Sequence, residues 1–224
     1  MNSIMETVRD VCNRVRANSK HGTNFHNLLV MLRREFKRSE LDVKVKSERN
    51  KQLLDEEFYI NAYYDAEDDD TYETPIEVVV HHNFDKAMVW DRKHVTSFLV
   101  QVFDATVHEY KHQRQSRKRG HENFWDHPNG AYHYQEYLMD PDEVDAYSLS
   151  IAIELCRSLG KYRALRYMSK FTALSKLKFQ DTFVSPNLSA YIGQFGNTST
   201  PVIKLLAKKV YVRLQKIDTD CIFV

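Results

Sequence analysis

Residues 103–115 read FDATVHEYKHQRQ and hold His108, Glu109 and His112, the spacing H-E-x-x-H. On a helix, positions i and i+4 lie one above the other, so the two imidazoles point to one place. Two nitrogen ligands at about 2.0–2.1 Å suit Zn²⁺, which needs a third protein ligand and an open fourth position to be catalytic. Glu109 sits one residue round the helix, where it can act as general base without being a ligand. The best third ligand is Glu143, which opens the pattern E-x-x-A at Glu143–Ala146; Asp142 and Asp145 are the alternatives. The small Ala146 lets the second helix pack closely against the first. Both features also have a plain explanation. The chain has ten histidines, so one helix face can be rich in them without a metal. Acids in a first turn also complement the helix dipole.

These residues need a helix, a second helix and a scaffold, and the patterning predicts all three. From Asp91, a candidate N-cap, Val95, Phe98, Leu99, Val102, Phe103 and Val107 form an apolar stripe that Gly120 ends, with the histidines beside it. Residues 141–160 form a helix with Pro141 in its first turn and Gly160 at its end. Upstream, Ile4, Val8, Val11, Cys12 and Val15 mark one helix. Phe25, Leu28, Leu29, Leu32 and Phe36 mark another, capped by Thr23 or Asn24 and expected to cover a sheet. Period-two stretches at 41–47, 57–64 and 76–84, with a short fourth at 86–90, predict an antiparallel meander. Residues 121–140 and 185–200 read as irregular, and 161–179 and 201–217 as helices. The expected organisation is a core over 1–160 with N-terminal helices, and a helical subdomain over 161–224 that covers it or serves as a lid or docking surface.

Composition narrows the classes. With 42% apolar and 28% charged residues the chain reads as globular. A net charge of +1 argues against a polyanion binder that uses its whole surface. Three cysteines, Cys12, Cys156 and Cys221, show neither C-x-x-C nor a disulfide pattern, which predicts a reducing compartment, the cytoplasm. The first twenty residues lack the apolar run of a signal peptide, and no segment is apolar enough to predict a membrane span.

The H-E-x-x-H helix, preceded by a sheet and followed by E-x-x-A on a second helix, resembles the gluzincin branch of the zincin-like metallopeptidases. The stretch DPDEVDAYSLSIAIEL is similar to peptidases encoded by tailed phages. The resemblance spans roughly residues 40–160. It implies an α+β, zincin-like fold, with a small antiparallel sheet on the active-site helix and a helical C-terminal part. It also implies zinc held by His108, His112 and Glu143, with Glu109 moving the proton in hydrolysis of a peptide bond. The implied partner is a protein or peptide substrate, and the implied location is the host-cell cytoplasm or the virion. Many gluzincins place an Asp just after E-x-x-A/S to orient a zinc histidine. Here Tyr147 stands there, so Asp145 or Asp104 is expected to take that task. Tyr132, His133, Tyr134 and Tyr137 are candidates to stabilise the oxyanion, each equally at home as a half-buried aromatic.

Other stretches carry second readings. The basic run 111–119, with Lys111, Arg114, Arg117, Lys118 and Arg119, suits phosphate contacts, and equally a solvated helix end. DAEDDDTYET (65–74) reads as a solvated turn or a weak calcium site. His81 and His82 end a strand, and in the resemblance their edge would pair with an extended substrate. The competing functions are a zincin-fold viral protein that binds a partner without cleaving it, and a nucleic-acid-associated protein.

Overall fold

In a computed structural model, residues 1–19, 22–55, 57–65, 69, 73–84, 88–120, 134–171, 184–196 and 198–224 are described. They form an α+β fold, mostly helical, with eight α-helices and two small sheets among the described residues. The chain divides into two compact units, one of residues 1–123 with 223–224 and one of residues 124–222.

In the first unit, α1 (Asn2–Asn18) buries Met5, Val8, Val11, Cys12 and Val15. Met5, not the expected Ile4, completes that stripe. Asn24 caps α2 (Phe25–Arg38): its side chain accepts the Asn27 N–H at 2.8 Å. Thr23–Asn24 form a two-residue strand, β1, which pairs antiparallel with β5 (Val89–Trp90). The main sheet holds β2 (Val43–Arg49), β3 (Phe58–Tyr63) and β4 (Ile76–His82) in the order β2-β4-β3.

This order corrects the expected meander. β4 lies in the centre, antiparallel to β3 but parallel to β2, in the register Val43↔Ile76 to Arg49↔His82. β4 buries Ile76, Val78, Val79 and Val80, and a strand covered on both faces belongs in the middle of a sheet. β2 carries Lys44, Lys46, Glu48 and Arg49 and is largely exposed, which suits an edge. Of the expected fourth strand, 86–87 lie outside the described residues and Val89–Trp90 form β5, which joins the other sheet.

Helix α3 (Arg92–Lys118) starts at Asp91, whose carboxylate accepts the His94 N–H at 2.8 Å. It lies against α1, β3 and β4. A cluster of Phe25, Phe58, Phe84, Trp90 and Phe98 anchors its N-terminal half. Phe25 and Phe84 meet edge-on at 4.5 Å, and Trp90 and Phe98 at 5.5 Å.

The second unit is built round α5 (Pro141–Leu159), which touches α4 (Tyr134–Met139), α6 (Lys161–Lys170), α7 (Pro186–Phe195) and α8 (Pro201–Lys216). Asp140 caps α5 by accepting the Asp142 N–H at 2.6 Å, and Gly160 ends it with φ +76°. Two of the stretches read as irregular are in part helical. α4 occupies 134–139, while 121–133 lie outside the described residues. α7 forms because Ser185 caps it, Pro186 opens it, and Leu188 and Tyr191 are buried. The helix expected over 161–179 is described as α6, and 172–183 lie outside the described residues. No helix among the described residues is long and apolar enough to cross a membrane.

Candidate metal centre

α3 positions the histidine pair. Val102, Phe103, Thr106 and Val107 are buried, and His108 and His112 stand at the margin of that stripe, each half-buried. Their Nε2 atoms lie 3.1 Å apart and their rings meet at 64°. Two nitrogens at zinc-bond length with a tetrahedral angle between them lie about 3.3 Å apart. The pair therefore fits one divalent metal. The same distance fits one tautomer donating a hydrogen bond to the other. Glu109 follows His108 on α3 and is also half-buried.

Glu143 lies in the first turn of α5. Tyr147, one turn on, shares its helix face. Tyr137 of α4 shares hydrogen bonds with both, and burial, followed by the charge of Glu143, pushes its phenol well above the usual range. Tyr191 of α7 meets Tyr147 edge-on at 5.4 Å, and burial raises its phenol too. His108 and His112 belong to the first unit and Glu143 to the second.

The two alternative acids differ from Glu143. Asp145 accepts from Lys209 at 3.0 Å and from Arg213 at 2.7 Å, so its carboxylate is neutralised by α8. Asp142 is half-buried in the first turn of α5. Asp104, the other residue expected to support a histidine, stands one turn before His108 on α3. Of the oxyanion candidates, Tyr134 is exposed and stacks on Tyr137 at 6.3 Å, while Tyr132 and His133 lie outside the described residues.

The far end of α3 has a different task, which the sequence reading missed. Asp69, in the acidic stretch, is fully buried and receives Arg117 Nε at 2.8 Å, the Tyr64 hydroxyl at 2.6 Å and the Thr74 N–H at 2.8 Å. Gln113 donates to the Thr74 carbonyl at 3.2 Å. Burial alone would raise the Asp69 carboxyl, but these donors outweigh it and hold the group down at about 2. Burial and the neighbouring Asp69 push Tyr64 up to about 12. At Asp69 the stretch is thus neither a solvated turn nor a calcium ligand, because a guanidinium already occupies the carboxylate. Arg117 is correspondingly lost to the basic run. The only signal in the sequence was the i, i+4 spacing of Gln113 and Arg117.

His81 and His82 also change role. They end β4, the central strand, and face Glu48 and Arg49 on one side and Tyr59 and Phe58 on the other, so they offer no open edge. His82 packs on Phe25 and Phe84, and His81 stacks on Tyr59 at 4.6 Å. No protein-family model, no curated protein and no solved structure matches the chain.

Proposed function

We propose that this protein is a zinc-dependent peptidase of zincin-like type, of the kind tailed phages encode, with His108, His112 and Glu143 as the metal ligands. The observation that carries the reading is the pair of helical imidazole nitrogens 3.1 Å apart; Glu143 joins them as the carboxylate that the motif resemblance implies. Two imidazoles and a carboxylate form one of the three-ligand sets that zinc uses in hydrolases. Zinc in such a set polarises a carbonyl and makes water acidic enough to attack it at neutral pH. Glu109 is the proton carrier: its carboxylate takes a proton from the attacking water and returns it to the leaving amine. The imidazoles and Glu143 hold the metal and take no proton. The nucleic-acid reading is weaker, because Arg117 of the basic run is committed to Asp69.

The test joins metal content to cleavage. Purified protein is expected to carry about one zinc per chain by elemental analysis, because the ligand set is complete. Glu109→Gln is expected to keep the zinc and lose about 10²- to 10⁴-fold in hydrolysis, the usual worth of a general base. Cleavage products from a mixture of cell proteins, compared by mass spectrometry, should vanish with the mutation and with chelator. Protein that has never met a chelator and holds no metal would overturn the proposal. Stoichiometric zinc with identical products from wild type, mutant and chelated protein would favour a partner-binding role.

A further inference from the structure

Glu143 and Tyr147 are four residues apart on α5, so their side chains lie along one face of that helix. α4 packs against α5 and brings Tyr137 to the same face, where it shares hydrogen bonds with both residues. α7 packs against α5 as well and closes the group with Tyr191, 1% exposed, whose ring rests edge-on against Tyr147. An ionised carboxylate only accepts, so the phenol must be the donor in the Tyr137–Glu143 bond. A phenol engaged in this way restrains the carboxylate rotamer and occupies one of its lone pairs.

We infer that Tyr137, together with Tyr147, is a positioning residue that holds Glu143 in its metal-binding orientation. The inference rests on the reading of Glu143 as a ligand. It gives Tyr137 a task other than oxyanion stabilisation, because the hydroxyl that donates to Glu143 is not also free to donate elsewhere. It further assigns a use to the tyrosine at position 147: on this chain it supports the carboxylate ligand through Tyr137.

A double-mutant cycle with Zn²⁺ alone as the probe tests this. Zinc affinity is measured against a competing chelator for wild type, Tyr137→Phe, Glu143→Gln and the double variant. Tyr137→Phe keeps the ring and removes the donor, and is expected to weaken zinc binding about 10- to 100-fold, as loss of a partner to a ligand does. In the Glu143→Gln background the same change should have almost no effect on the residual affinity of the two imidazoles, since the residue it acts through is gone. Metal-free thermal midpoints of wild type and Tyr137→Phe, measured alongside, show that the variant is folded at the temperature of the zinc titration. Equal losses in both backgrounds, or no loss in either, would overturn the inference while leaving the zinc site standing. Wild type that binds no zinc would remove the ligand reading and this inference with it. Tyr147→Phe is the second variant should Tyr137→Phe fold poorly: a smaller loss, again confined to the Glu143 background, supports the inference, and an unchanged affinity counts against it.

Discussion

At the scale of the residue, three acids within four positions are distinguished by what each touches. Asp142, Glu143 and Asp145 all stand near the start of α5, and Asp145 is held by two cations, Lys209 and Arg213. A carboxylate already neutralised in this way gains little from a metal and leaves two cations unpaired if it moves. Glu143 shares a hydrogen bond with the Tyr137 phenol, a neutral partner. Glu143→Gln is therefore predicted to weaken zinc binding by roughly 100-fold or more, at or beyond the upper end of what loss of an outer partner costs. Asp145→Asn is predicted to leave zinc affinity within a few-fold and to lower stability by about 1–2 kcal/mol, through hydrogen bonds to charged donors. Chelator competition and urea unfolding measure the two effects. If Asp145→Asn strips the zinc while Glu143→Gln retains it, the ligand assignment is wrong by half a helical turn.

At the scale of the element, α3 is one helix with two duties. Its middle presents His108 and His112. Its last turns, through Gln113, Ser116 and Arg117, fasten the segment that holds Tyr64, Asp69 and Thr74. The Asp69 carboxyl is depressed, from an ordinary 3.8 to about 2. A depressed acid contributes stability that is fully present above its ordinary value and is lost as pH falls through its folded value. The shift corresponds to about 2 kcal/mol at neutral pH. Asp69→Asn is thus predicted to be less stable than wild type by about that amount at pH 7. The difference should hold at pH 5 and shrink between pH 4 and pH 2, where wild type also loses the charge. Urea unfolding at each pH checks this, and a difference that stays constant down to pH 2 would assign the loss to packing.

At the scale of the whole molecule, the prediction concerns linkage between metal and folding. A metal that binds only the folded chain stabilises it by mass action, about 2.7 kcal/mol at a hundredfold excess over the dissociation constant. For a chain of this length that corresponds to a rise of about 5–10 °C in the thermal midpoint. Scanning calorimetry with zinc and with chelator should show this rise in wild type, and little of it in His112→Ala. A rise of equal size in His112→Ala would place the metal elsewhere on the chain.

The local features were legible in the sequence because they depend on neighbours a few residues away. The stripe of α3, its cap at Asp91, the shared face of His108 and His112, and the limits of α5 at Pro141 and Gly160 all follow from helical spacing and backbone chemistry. α7 could have been read in the same way, from Ser185, Pro186 and the burial-prone Leu188 and Tyr191. Strand order could not. Alternation marks a strand and its faces but not its partners, and only the packing of the apolar β4 between two neighbours decided that β2 runs parallel to it. The fates of the charged runs were equally out of reach. Asp69 meets Arg117 across 48 positions, and Asp145 meets Arg213 across 68. A charge run looks the same in sequence whether solvent or a distant opposite charge will surround it. Which carboxylate is neutralised by a distant cation is settled only when elements far apart in the chain are brought together.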